Sequence, residues 1–232
     1  MKAYVSTALA AVLVLTLPAC QKQTADSGAA ESTEAGSVDA LAGTWKVDLA
    51  SLKFEGKPEE YLLKDGSWNC KTCIPPLTVA ADGKVLTNKF KDMTTPGQTI
   101  EGSQTEQRVG PAPAGAHAVS GQWKPDRVGE YSEDALNLTY SVAGNSVTMN
   151  SAGQSYTAEL GGPAVPIKGD AGGTMVKVSR EGASGIRETN IRDGKEIGYA
   201  ILTPSADGKT IGFTYTDIRD GSSVSWTGNK TS

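Results

Sequence analysis

Apolar and polar residues alternate along most of the chain from residue 136 onward. Leu136, Leu138, Tyr140 and Val142 fall on one side, and Ala143-Gly144-Asn145 turns the chain. Val147 and Met149 follow, then the turn Ser151-Ala152-Gly153, then Tyr156, Ala158 and Leu160. A Gly- and Pro-rich loop spans residues 161–173, and Val176, Val178 and Ile191 belong to the next strands. Asp193-Gly194, Asp207-Gly208 and Asp220-Gly221 separate Ile197/Tyr199/Ile201, Ile211/Phe213/Tyr215 and Val224/Trp226. Alternation with period two gives each strand one buried face. Short Asp-Gly turns make sequential strands antiparallel neighbours. About seven to nine such strands in a row hide their apolar face and their edges by curling into a barrel or close sandwich. The expected class is all-β, an antiparallel, barrel-like meander.

The N-terminus has a different pattern. Met1-Lys2 is positive, Ala3 to Leu17 is almost wholly apolar, and Leu17-Pro18-Ala19-Cys20 follows. The run falls short of the roughly 20 apolar residues that span a bilayer. A charged start, a short apolar core and small residues before a cleavage point define a secretory signal. Residues 1–19 are therefore expected to be removed. Residues 20–39 are polar, small and without aromatics, too poor in apolar surface to fold, and read as a flexible tether.

The remainder holds a weak internal repeat, a short first copy over 40–113 and a longer second over 114–232. Gly43-Thr44-Trp45-Lys46 opens the first and Gly121-Gln122-Trp123-Lys124 the second. Each later carries an Ala-Asp-Gly-Lys turn, Ala81 to Lys84 and Ala206 to Lys209, with an aromatic (Phe90, Tyr215) and an aspartate (Asp92, Asp217) at matching distances beyond it. The first copy lacks several strands' worth of chain between its Trp and its turn, near Pro75-Pro76. Gly110 to Gly115, rich in Gly and Pro, reads as the linker.

Three resemblances add to this. Leu17 to Cys20 resembles the lipobox of bacterial lipoproteins, which implies acylation of Cys20 and partnership with a lipid bilayer. Gln21, rather than Asp, after the cysteine implies the outer membrane, facing the periplasm. The Gly-x-Trp at Gly43/Trp45 and Gly121/Trp123 resembles the start motif of lipocalins, whose tryptophan crosses one end of a barrel. The arginine that accompanies that motif on the last strand has no counterpart beside Trp226. Over most of residues 40–230 the chain is also similar to bacterial proteins built of two such repeats, through stretches such as Glu60 to Gly66, Pro113 to Ala118 and Gly153 to Ala158. That similarity implies a fold and no activity.

Net charge is −4 and the pI near 5.1, which argues against a nucleic-acid partner. Cys70-Lys71-Thr72-Cys73 is a disulfide candidate in an oxidising compartment. A redox pair would need a helix N-terminus nearby, and a zinc site two further ligands. The single histidine, His117, sits in a Gly/Ala/Pro segment and reads as an exposed linker residue. Gly208-Lys209-Thr210 lacks the upstream glycine of a phosphate loop, since position 203 is threonine. Glu130, Glu133 and Asp134 could pair for hydrolysis but read as a solvated turn. No catalytic set, metal or cofactor is expected. Trp123, Tyr140, Tyr156, Tyr199, Phe213, Tyr215 and Trp226 are core residues or the lining of an apolar cavity. The expected function is a non-enzymatic, membrane-anchored binding module for a small apolar ligand or an envelope protein, with thiol–disulfide chemistry at Cys70/Cys73 as the alternative.

Overall fold

The computed structural model describes residues 37–64, 67–68, 77–92 and 99–232; Cys20, Cys70, Cys73, the signal segment and most of the tether lie outside the described residues. In chain order the strands are β1 (Gly43–Glu55), β2 (Glu59–Tyr61), β3 (Leu63–Lys64), β4 (Ser67–Trp68), β5 (Leu77–Val79), β6 (Val85–Asp92), β7 (Ile100–Val109) and β8 (Gly121–Tyr131). There follow β9 (Asn137–Ala143), β10 (Ser146–Ser151), β11 (Gln154–Glu159), β12 (Val165–Pro166), β13 (Met175–Glu181), β14 (Gly185–Arg192), β15 (Lys195–Pro204), β16 (Thr210–Asp217) and β17 (Ser223–Lys230). Two 3-10 turns, Val38–Leu41 and Glu133–Leu136, precede β1 and β9. No described helix is long and apolar enough to cross a membrane.

The meander read from the alternation is present. Strands β9 to β17 join β1 in a ten-stranded sheet of order β11-β10-β9-β1-β17-β16-β15-β14-β13-β12. Its two ends meet where Ser155 and Lys168 exchange backbone hydrogen bonds of 3.1 and 2.8 Å. Gly161 N also donates to Val178 O at 2.8 Å. The sheet is a nearly closed barrel. Its inward residues, among them Trp45, Leu138, Tyr140, Met149, Tyr156, Val176, Leu202, Phe213 and Trp226, form one continuous core. Burying each large apolar side chain contributes about 1.5–3 kcal/mol.

A second, five-stranded sheet runs β2-β8-β7-β6-β5. Among the described residues its apolar core holds Tyr61, Leu86, Val119 and Trp123, with Leu77 and Val79 at the side.

The sheets do not divide at residues 113 and 114. β1, the tryptophan-led strand of the first copy, lies in the barrel between β9 and β17. β8, that of the second copy, lies in the smaller sheet between β2 and β7. Each copy lends its opening strand to the other. The reason is local: β7 and β8 are sequential, so Val109 pairs with Gln122 and the Gly110–Gly115 stretch becomes part of a hairpin loop rather than an interdomain linker.

The two Ala-Asp-Gly-Lys turns carry matching hydrogen bonds. Gly83 N donates to Ala80 O at 2.8 Å and Lys84 N to Asp82 Oδ1 at 3.0 Å. Gly208 N and Lys209 N do the same to Ser205 O and Asp207 Oδ1, at 2.9 and 3.1 Å. Arg108 N then donates to Lys84 O, and Lys230 N to Lys209 O, each at 2.8 Å. Gly208-Lys209-Thr210 is thus a hairpin turn.

One face differs from the alternation. On β15 the inward residues are Gly198, Ala200 and Leu202, while Ile197, Tyr199 and Ile201 are half-buried on the outside. Register decides this, because Ala200 faces Tyr215 and Leu202 faces Phe213 across the strand pair, and both aromatics point inward. A Cβ at Gly198 would lie 2.3 Å from the Tyr215 hydroxyl, so only glycine fits there.

Candidate functional site

The two tryptophans that open the copies are held in the same way. Trp45 Nε1 donates to Leu41 O at 2.8 Å, and Trp123 Nε1 to Val119 O at 2.7 Å. Both rings are fully buried. Each is covered by a cation. The Arg108 guanidinium carbon lies 4.1 Å from the Trp123 ring centre, and Lys230 Nζ 5.1 Å from that of Trp45. Arg108 lies on β7 and Lys230 on β17. The glycine two residues before each tryptophan has φ of +135° (Gly43) or +132° (Gly121), and the cationic side chain passes where its Cβ would be. Both facts exclude a side chain there. Arg108 also ties two loops to the sheet, with Nε to Gly83 O at 2.6 Å, Nη1 to Ser120 O at 2.8 Å and Nη2 to Ala118 O at 2.5 Å.

A buried tyrosine faces each glycine, Tyr61 opposite Gly121 and Tyr140 opposite Gly43. Each reaches a buried glutamate, but from different strands. In the barrel, Tyr140 OH donates to Glu188 Oε1 at 2.8 Å, and Tyr156 OH donates to the same oxygen. Burial holds the Glu188 carboxyl above the ordinary carboxylate range, against the two phenols, which favour its ionised form. Burial and the neighbouring glutamate raise both tyrosines well above their usual value.

In the smaller sheet, Tyr61 OH lies 2.9 and 2.7 Å from the two carboxylate oxygens of Glu106. Glu106 is 1% exposed, and burial pushes its carboxyl up to about 7, opposed by the Tyr61 hydrogen bond. Desolvation and Glu106 raise Tyr61. On the same inner face, Asn88 and Gln104 stand directly opposite each other on β6 and β7, 5% and 4% exposed. Asn88 Oδ1 and Gln104 Nε2 are buried with no hydrogen-bond partner among the described residues. A buried polar atom left unpaired costs about 1–3 kcal/mol. Glu106, opposite Leu86, is the next inward residue along β7. The inner face of this sheet thus carries a contiguous polar patch beside apolar side chains.

The seven aromatics offered for an apolar cavity go to three places. Tyr140, Tyr156, Phe213, Tyr215 and Trp226 point into the barrel core, where the rings of Phe213 and Trp226 stack 4.5 Å apart at 11°. Trp123 belongs to the smaller sheet. Tyr199 is on the barrel's outer face, with the Arg187 guanidinium carbon 3.5 Å from its ring centre. Glu130, Glu133 and Asp134 are exposed, and Glu133 pairs with Lys46. His117 is exposed, and its Nδ1 accepts from Val119 N at 3.2 Å. Among the described residues no group of three or more His, Cys, Asp and Glu is set to hold a metal. A shallow hollow of about 310 Å³ above the β10–β11 turn is lined by polar residues including Asn137, Asn150 and Gln154.

Alternation alone misses Asn88, Gln104, Glu106 and Glu188, because a polar residue within a strand reads as outward-facing. Glu188 and Asn88 carried a signal, since they share parity with the buried Ile186 and Leu86.

No known protein-family model matches this chain, and no curated protein sequence is significantly similar to it.

Proposed function

We propose that the chain is an envelope lipoprotein, tethered through an acylated Cys20 to the periplasmic face of the outer membrane, that binds a small molecule without transforming it. The barrel is the rigid support and the inner face of the five-stranded sheet is the binding face. One observation carries this reading: Asn88 Oδ1 and Gln104 Nε2, buried side by side on β6 and β7 and unpaired among the described residues. Native proteins retain few such groups, and a ligand that pairs them removes their cost. In the barrel, Tyr140 and Tyr156 are bonded to Glu188 amid a core of the protein's own aromatic rings, and the unpaired buried atoms Asp170 Oδ1 and Ser222 Oγ lie in separate loops rather than side by side. That favours a polar ligand on the sheet over an apolar one in the barrel. Stable anchoring takes more than one acyl chain, which a lipobox cysteine receives.

Two measurements test the proposal. Cells expressing the full chain are fed an alkyne fatty acid, and the label should enter the wild type and not Cys20→Ala. The gently purified lipoprotein is then examined by native mass spectrometry, where a retained small molecule is expected. An unlabelled wild type removes the anchor. A mass equal to the lipidated chain alone removes the binding role.

A further inference from the structure

We infer that Asn88 and Gln104 together recognise a neutral amide group of a small molecule, its N–H given to Asn88 Oδ1 and its carbonyl accepting from Gln104 Nε2. This rests on the binding role proposed above and adds the chemistry of the ligand.

The two residues are direct partners across antiparallel strands β6 and β7. Side chains so placed share a face, with Cβ atoms about 4.5–5.5 Å apart. One presents a buried acceptor and the other a buried donor, and they do not bond to each other. The complement is a group that offers a donor and an acceptor on one edge, which a primary amide or a lactam does. A carboxylate or phosphate would satisfy Gln104 alone and would lie near Glu106. An ammonium group would satisfy Asn88 alone. Both protein groups are uncharged, so an uncharged partner leaves no ion stranded in a buried place. The surroundings fit an amide on a small apolar body. Leu77 stands opposite Asn88 on β5, and Leu86 opposite Glu106. Glu106 itself has both oxygens within reach of Tyr61. It therefore closes one end of the patch rather than competing for the amide.

The test uses the mature lipoprotein in detergent micelles, labelled with 15N in its Asn and Gln side chains. The probes are 2-pyrrolidinone, sodium acetate and glycerol. Asn88→Leu and Gln104→Met assign the two side-chain NH2 signals and remove the acceptor or the donor at similar volume. Pyrrolidinone should shift both signals saturably, with acetate and glycerol at least tenfold weaker, and each variant should weaken pyrrolidinone binding at least tenfold. Equal response to acetate or glycerol, no saturable response, or undiminished binding in the variants overturns the inference. If a variant does not fold, the selectivity of the wild type among the three probes decides alone. A small molecule retained in the native mass spectrum without amide selectivity sinks this inference and leaves the binding role standing. Absence of both sinks both.

Discussion

Replacing Glu106 by glutamine should stabilise the protein above neutral pH and change little in acid. The Glu106 carboxyl is 1% exposed, and its polar contact among the described residues is the Tyr61 hydroxyl. Burial raises it from the ordinary 4.5 to about 7. The folded protein therefore holds a proton that the unfolded chain releases between these values. Stability from this group is complete below about pH 4.5 and is lost as pH rises towards 7. At about 1.4 kcal/mol per unit, the whole loss is about 3 kcal/mol. Glutamine keeps the shape, accepts from Tyr61 and never ionises. Urea unfolding of the wild type and Glu106→Gln, followed by tryptophan fluorescence from pH 4 to 8.5, measures the difference. It should grow in favour of the variant by about 3 kcal/mol across that range, apart from a constant offset. Glu188 is also raised by burial and destabilises both proteins in the same direction, so it cancels in the comparison. A flat difference, or one that turns against the variant as pH rises, would refute the reasoning.

Arg108→Met removes three bonds to backbone oxygens and the cation over Trp123, and should lower unfolding free energy by about 2–4 kcal/mol in urea titration. Lys230→Met loses a single, longer cation–ring contact and should cost less than about 1 kcal/mol; the reverse order would contradict the roles given to the two cations. Gly198→Ala sets a methyl 2.3 Å from the Tyr215 hydroxyl and 2.6 Å from Thr216 O, and should show a lower melting temperature from about 1–3 kcal/mol of overpacking. Redox titration of the Cys70/Cys73 pair should give a potential below about −300 mV if it is a structural bridge, and a value above that would favour the thiol–disulfide alternative.

The barrel was legible because its strands bury apolar residues of one parity and its turns carry Gly in fixed places. Leu138/Tyr140, Val147/Met149, Tyr156/Ala158 and Phe213/Tyr215 are all inward. β15 was ambiguous, since Ile197-Tyr199-Ile201 and Ala200-Leu202 are both apolar; the inward aromatics across the strand pair settled it. The likeness of the two tryptophan settings and of the two Asp-Gly turns could be read from their residues. The strand exchange could not, because which neighbour β8 pairs with depends on the short route from β7 and not on residue type. The polar patch was hidden for a further reason. β7 is polar on both faces, so nothing in Gln104-Thr105-Glu106 distinguishes inside from outside without the strands that flank it. The cations were hidden likewise: Arg108 and Lys230 approach their tryptophans only once the copies have exchanged strands.

The most direct test of the binding role is hydrogen–deuterium exchange on the purified lipoprotein, with and without a low-molecular-mass extract of the periplasm. Slower exchange confined to β6 and β7, Val85–Asp92 and Ile100–Val109, with β13 to β17 unchanged, is the predicted result. Protection in the barrel strands, or none anywhere, would contradict it.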